Sequence, residues 1–171
     1  MNEIFTRRSV RFFKPDPVED EKLDRLLRAG MQAPSARNQQ GWEFVAVRER
    51  ARIEELSHLS PYTAPLGRAP LVLIVMTNPA RLINEESAQS RREEMGAVIQ
   101  SILLEAVHLG LGTVWCGVSP FEDRMANVRK ACGIPEDIEP FAAIAVGYPE
   151  KEDANHVEDR YQAERVHWET Y

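Results

Sequence analysis

The residues able to do chemistry fall into three short segments. Within residues 1–15, Arg7, Arg8, Arg11 and Lys14 face one acid, Glu3. In Arg7-Arg8-Ser9-Val10-Arg11 a hydroxyl sits among guanidinium groups, and with backbone N–H groups these supply the donors that a phosphate ester needs. A solvated basic terminus uses the same residue types, so spacing alone leaves both readings open. The second segment, Pro34-Ser35-Ala36-Arg37-Asn38-Gln39-Gln40, concentrates side-chain donors and acceptors that could orient a polar ring ligand, or that simply end a helix in a polar loop. The third, Gly112 to Pro120 (GTVWCGVSP), places Trp115 and Gly117 on an apolar strand, where glycine lets a flat ligand approach the backbone closely. Without a ligand Trp115 is a core residue. Cys116, with no basic neighbour in sequence to lower its pKa, reads as an inert buried thiol.

Other chemistries find no support in the spacing. His58, His108, His156 and His167 form no HxxxH or Cys/His pattern, so no metal site is expected. There is no GxSxG elbow, no GxxxxGK[ST] loop and no GxGxxG turn, which removes the commonest hydrolase, P-loop and dinucleotide readings. Acids are plentiful, but those of Glu49 to Glu55 and Glu93 to Glu94 read as solvated helix faces, and none marks a catalytic pair.

Positioning the three segments takes a framework of alternating helices and strands. Asp16-Pro17-Val18-Glu19 predicts a helix start, with Leu23, Leu26, Leu27 and Gly30 on one face. Trp42 to Val47 reads as a strand, and Glu49 to Leu59 as a helix with Ile53 and Leu56 on one side. Leu71 to Met76 is apolar throughout, as expected of a central strand covered on both faces. A long helix from about Gln89 to Leu109 carries a broad stripe of Met95, Val98, Ile99, Ile102, Leu103, Ala106 and Leu109, and Gly110 or Gly112 ends it. Thr113 to Val118 and Phe141 to Val146 follow as strands, separated by a helix that Ser119-Pro120-Phe121-Glu122 should cap and Gly133 close. Arg165 to Glu169 (RVHWE) alternates like an edge strand.

These elements imply helices layered on a sheet within one continuous unit of 171 residues. The net charge of −6 and the absence of a basic aromatic surface argue against a nucleic-acid partner. No apolar run approaches the roughly 20 residues needed to span a bilayer, so no membrane partner is expected. MNEIFTRRSVRFF lacks an apolar signal stretch, and Cys116 and Cys132 form no CxxC pair, so the expectation is a cytoplasmic protein.

Taken together and in this order, RRSVRFF, APSARNQQGWEF, the long helix running into GLGTVWCGVSP, AVGYPEK and DRYQAERVHWE resemble the compact form of the FMN-dependent nitroreductase family over nearly the whole chain. The resemblance implies an α+β three-layer sandwich with a mostly antiparallel sheet, built as an intertwined homodimer. Residues 1–171 would form one FMN-binding domain. It implies FMN sites at the subunit interface, the long helix as the dimer contact and the RVHWE tail reaching across the partner.

Carried onto this sequence, the resemblance makes Arg7 and Arg160 phosphate ligands, with Arg8 and Ser9 completing the phosphate and ribityl grip. Arg11 would reach the N1 and C2-carbonyl edge, where a fixed cation favours the reduced anion. Pro34, Ser35, Ala36 and Asn38 would come from the other subunit. The backbone of Trp115, Cys116 and Gly117 would line the ring, with the Gly117 N–H directed at N5. No side chain acts as acid or base. NADH or NADPH would pass hydride to N5 and leave, and a nitroaromatic, quinone or flavin would then take it in the same slot, by a ping-pong mechanism. The alternatives are a flavin-binding module without turnover, or a specialised relative performing flavin-destructive oxygenation, reductive dehalogenation or heterocycle oxidation. Gly41 stands where the family usually has proline, Ser101 where asparagine is common, and Ser119-Pro120 where tyrosine-proline is common.

Overall fold

A computed structural model describes residues 2–171. Strand β1 (Trp42–Val47), β2 (Leu71–Thr77), β3 (Gly112–Gly117) and β4 (Glu139–Gly147) form one sheet in the order β1-β2-β4-β3, antiparallel at every pairing. Every residue of β2 is buried, which follows from its unbroken apolar sequence and its place between β1 and β4.

Successive β2 residues feed opposite faces. Leu71, Leu73 and Val75, with Ile144 and Val146 of β4, pack under helix α2 (Asp20–Met31) and helix α5 (Arg91–His108). Val72, Ile74 and Met76, with Ala143, Ala145 and Val114, pack against α3 (Arg50–Ser57) and α6 (Glu122–Cys132) through Ile53, Leu56, Met125 and Val128. The result is helix, sheet, helix, and the α+β sandwich expectation holds. The shorter helices α1 (Glu3–Thr6) and α4 (Glu85–Ala88) complete the set. Among the described residues no helix is long and apolar enough to cross a membrane.

Several expectations need correction. The α5 stripe is covered by this chain's own sheet and by α2, with Met95, Val98, Ile99, Ile102, Leu103 and Ala106 all buried and Leu109, just past the helix end, partly buried. Its breadth therefore calls for no second subunit; the outward face is Gly96, Ala97, Gln100, Ser101 and Leu104. Helix α2 starts at Asp20, not Asp16, because Val18 is buried, Glu19 is extended, and Arg48 holds both the Val18 carbonyl (2.9 Å) and Asp20 (2.6 Å). Ser119 does not cap α6, since its hydroxyl donates to Glu139 Oε1 at 3.1 Å and the helix opens after Phe121. Residues 165–169 form no strand: the tail from His156 to Tyr171 is exposed, with one short turn at Ala163–Arg165.

Candidate functional site

The site is built along the free edge of β3. Backbone groups of an antiparallel strand point alternately to its two sides. The Thr113 carbonyl faces outward, accepting from Val10 N–H at 2.9 Å, while Val118 N–H turns inward to the Phe141 carbonyl at 3.2 Å. Gly117, an even step from Thr113, therefore turns its N–H outward, away from β4. Among the described residues outside its chain neighbours, nothing lies within 4 Å of where a Cβ would stand at Gly117, so the sheet face is open above it. The Gly117 carbonyl accepts from Arg124 Nη1 at 3.1 Å, and the Arg124 guanidinium lies 3.9 Å from the centre of the Phe121 ring. Trp115, 40% exposed, leans on Phe141 with ring centres 6.1 Å apart.

The N-terminal segment docks on this edge. Ser9 bridges Thr113 in parallel, and Gly112 makes room for it: a Cβ there would stand 2.8 Å from the Val10 side chain. Arg11 Nη1 donates to the Ser9 carbonyl at 3.1 Å, and its charge acts on the Cys116 thiol. Burial outweighs that charge and pushes Cys116 up to about 11, so the thiol is protonated at neutral pH.

Beside the edge lies a cationic cluster. Arg7 is half-buried, and desolvation, then the charges of Arg8 and Arg160, hold its guanidinium below the ordinary arginine value. Among the described residues no acid pairs with it. Arg8 folds its two terminal nitrogens onto the carbonyls of Arg7 (2.5 Å) and Phe5 (2.9 Å), and its buried Nε has no hydrogen-bond partner, although Glu158 Oε2 is 3.3 Å away. Glu158 accepts from Arg160 Nη2 at 2.7 Å, and that bond, with the neighbouring guanidinium charges, holds its carboxyl below the usual carboxylate range. Asn155 pins the Arg8 N–H (3.1 Å) to the Leu111 carbonyl (3.2 Å).

The loop after α2 stands apart. Arg37, Asn38 and Gln40 have φ of 53°, 57° and 50°, left-handed conformations that cost non-glycine residues of order 1 kcal/mol each. Ser35 Oγ accepts from Gln40 N–H at 3.0 Å, and Glu94, 4% exposed, accepts from Ala36 N–H at 2.8 Å and Gln39 Nε2 at 2.6 Å. Among the described residues no hydrogen bond or ion pair joins the Pro34–Asn38 loop to Arg7–Arg11.

A profile of the Nitroreductase family matches residues 4–65 and 57–148. The chain belongs to the nitroreductase family. A relative from Archaeoglobus fulgidus, provisionally named NADH dehydrogenase/NAD(P)H nitroreductase, is 36% identical over 98% of this chain and 96% of its own length. A solved structure from Clostridium acetobutylicum, provisionally named an NADH oxidase, superposes with a TM-score of 0.92 at 40% identity, covering 99% of each chain. A nitroreductase so named provisionally from Desulfovibrio desulfuricans, solved in complex with FMN, gives a TM-score of 0.83 at 29% identity over 99% of this chain and 96% of its own.

In this nitroreductase-family chain the structure gathers Arg7, Arg8 and Arg160 into one cluster and lays Ser9 and Arg11 along the strand of Trp115, Cys116 and Gly117. It does not bring Pro34, Ser35, Ala36 or Asn38 to them within one chain by any hydrogen bond or ion pair among the described residues. Sequence reasoning missed Arg124, Asn155, Glu158 and Glu94. Glu94 is a correction: read as part of a solvated face, it is buried. The signal was available, since it lies four residues before Val98 and eight before Ile102, in line with the apolar stripe.

Proposed function

We propose that this chain is an FMN-dependent oxidoreductase that moves a hydride from NADH or NADPH to a small acceptor, a nitroaromatic, a quinone or a free flavin. The observation that carries the reading is the Arg7 cluster: among the described residues Arg7 is a half-buried cation with no acid of its own, and its two guanidinium neighbours, Arg8 and Arg160, share the one carboxylate of Glu158 at 3.3 and 2.7 Å. Three guanidinium groups beside a single carboxylate leave an excess of positive charge, greatest at half-buried Arg7, that a further anion would offset. A phosphate ester fits this donor set. An outward N–H with open space at Gly117, one strand-length along the same edge, fits a flat ring attached to that phosphate.

FMN, when bound, supplies a ring nitrogen, N5, able to take up and return a hydride. Arg7, Arg160, the Arg8 Nε and the Ser9 hydroxyl bind its phosphate end. Gly117 N–H would donate to the bound ring, and Arg11 would supply a permanent cation that favours added negative charge on it. No side chain holds a proton for the reaction. The open space over Gly117 would let donor and acceptor use one place in turn, which is the basis of the proposed ping-pong order. The unit is a single domain, residues 1–171, of a cytoplasmic homodimer in which the Pro34–Asn38 loop serves the cofactor of the neighbouring subunit. The separation of that loop from the Arg7 cluster within one chain supports this arrangement.

The test is direct. The purified protein is expected to be yellow, to release FMN on heating, and to bleach anaerobically with NADH or NADPH. The double variant Arg7→Ala with Arg160→Ala is expected to keep its circular dichroism and lose flavin. A colourless protein that ignores added FMN, or a double variant that holds flavin at wild-type affinity, overturns the assignment.

A further inference from the structure

Left-handed backbone at three non-glycine residues in four persists only where the surroundings over-determine it. Here bonds within the loop, Gln40 N–H to Ser35 Oγ and Gln40 Nε2 to Asn38 Oδ1, both 3.0 Å, are joined by a buried anchor from another element. Glu94, on the first turn of α5, spends one carboxylate oxygen on two donors of the loop, Ala36 N–H and Gln39 Nε2. Gln39 is itself buried; its amide also donates to the Ser87 carbonyl at 3.0 Å and accepts from Ile83 N–H at 3.4 Å. The second oxygen, Glu94 Oε2, is buried with no partner. A carboxylate serving only its own helix would be solvated at that helix's N-terminal turn. Burying it with one oxygen unsatisfied is costly, and the return is a charge-assisted clamp on the loop.

We propose that Glu94 is a positioning residue. It holds the Ala36–Gln40 turn in its left-handed form, so that Ser35 and Asn38 are presented to the flavin without Glu94 touching the cofactor. This rests on the reading above for the ligand, but the clamp itself does not. It is made entirely of this chain's own residues.

Glu94→Ala and Glu94→Gln are compared with wild type and with Arg7→Ala/Arg160→Ala in two measurements: amide hydrogen exchange at Ala36, Asn38 and Gln39 in cofactor-free protein, and FMN affinity with the visible spectrum of the bound flavin. In Glu94→Ala, exchange at Ala36 is expected to quicken about tenfold or more while β2 amides stay protected, the scale of losing a charge-assisted bond. FMN affinity should fall by a similar factor, with a shifted flavin spectrum. Glu94→Gln, which keeps an acceptor oxygen, should restore part of both, and it serves alone if the alanine variant does not fold. The arginine double variant should lose FMN with loop exchange unchanged. Unchanged Ala36 exchange in Glu94→Ala, exchange that rises equally in β2, or a loosened loop with FMN affinity and spectrum intact each overturns the proposal. If wild type itself binds no FMN, the reading of the ligand fails, and the exchange result still decides whether Glu94 clamps the loop.

Discussion

Glu158 occupies the place an anion would take, accepting from Arg160 and lying beside Arg8 Nε. Its carboxyl is held below the usual range, so the folded pKa is depressed and the contact is lost only as pH falls through that value. From pH 5 upward Glu158 is ionised and competes with a bound phosphate. A phosphate monoester, by contrast, gains its second charge near pH 6. Affinity for FMN is therefore expected to rise between pH 5 and 7. Glu158→Gln should tighten it severalfold across that range without altering the slope, as checked by fluorescence titration of cofactor-free protein. Cys116 gives a second prediction at this scale. With its thiol pushed up to about 11, roughly one molecule in a thousand carries the thiolate at pH 8, so iodoacetamide should leave Cys116 unmodified in native protein and label it after denaturation, read by mass spectrometry. The arginine-rich start was legible in sequence because the residues are neighbours. Glu158 was not: it meets Arg8 across 150 positions, and nothing local marks it among 27 acids.

The element that matters most to the site is β3, and it works because the N-terminal segment can lie flush against it. Gly112 is the close approach: a methyl group there would stand 2.8 Å from three atoms of Val10. Gly112→Ala is expected to destabilise the fold by about 1–3 kcal/mol, the usual cost of overpacking. It should also weaken FMN binding more than a remote substitution of equal stability cost, because Ser9 and Arg11 ride on the displaced segment. Thermal melts paired with flavin titration check both. The strands were legible here: β1 falls where Trp42 to Val47 was read, and the apolar run of Leu71 to Met76 gives the buried β2. What local pattern could not supply was decided by tertiary partners. Arg48 moves the start of α2, and Glu139 takes the Ser119 hydroxyl from α6. Strand direction was equally out of reach, because a helix between two strands permits either sense until the sheet order is known.

Across the whole molecule, apolar side chains that a lone subunit leaves in water concentrate at the two ends of the chain: Ile4 and Phe5 on α1, then Tyr161, Val166, Trp168 and Tyr171 in the tail, with Trp168 81% exposed. Large aromatics are enriched where one protein surface meets another, and a run of them on an extended tail costs solvation unless a surface covers it. The proposed homodimer would supply that surface, and it would also bring the Pro34–Asn38 loop to the Arg7 cluster of the neighbouring subunit. Removing residues 161–171 separates these roles, because it keeps Arg160 and deletes no buried side chain. The shortened chain should retain its circular dichroism and melt within a few degrees of wild type at high concentration. It should sediment increasingly as monomer on dilution, and lose flavin in step with the dimer although every proposed phosphate ligand remains. A shortened chain that stays dimeric and yellow at nanomolar concentration would place the subunit contact elsewhere, on the outward face of α5 at Gly96, Ala97, Gln100, Ser101 and Leu104, a face of small and apolar residues that this chain covers only in part.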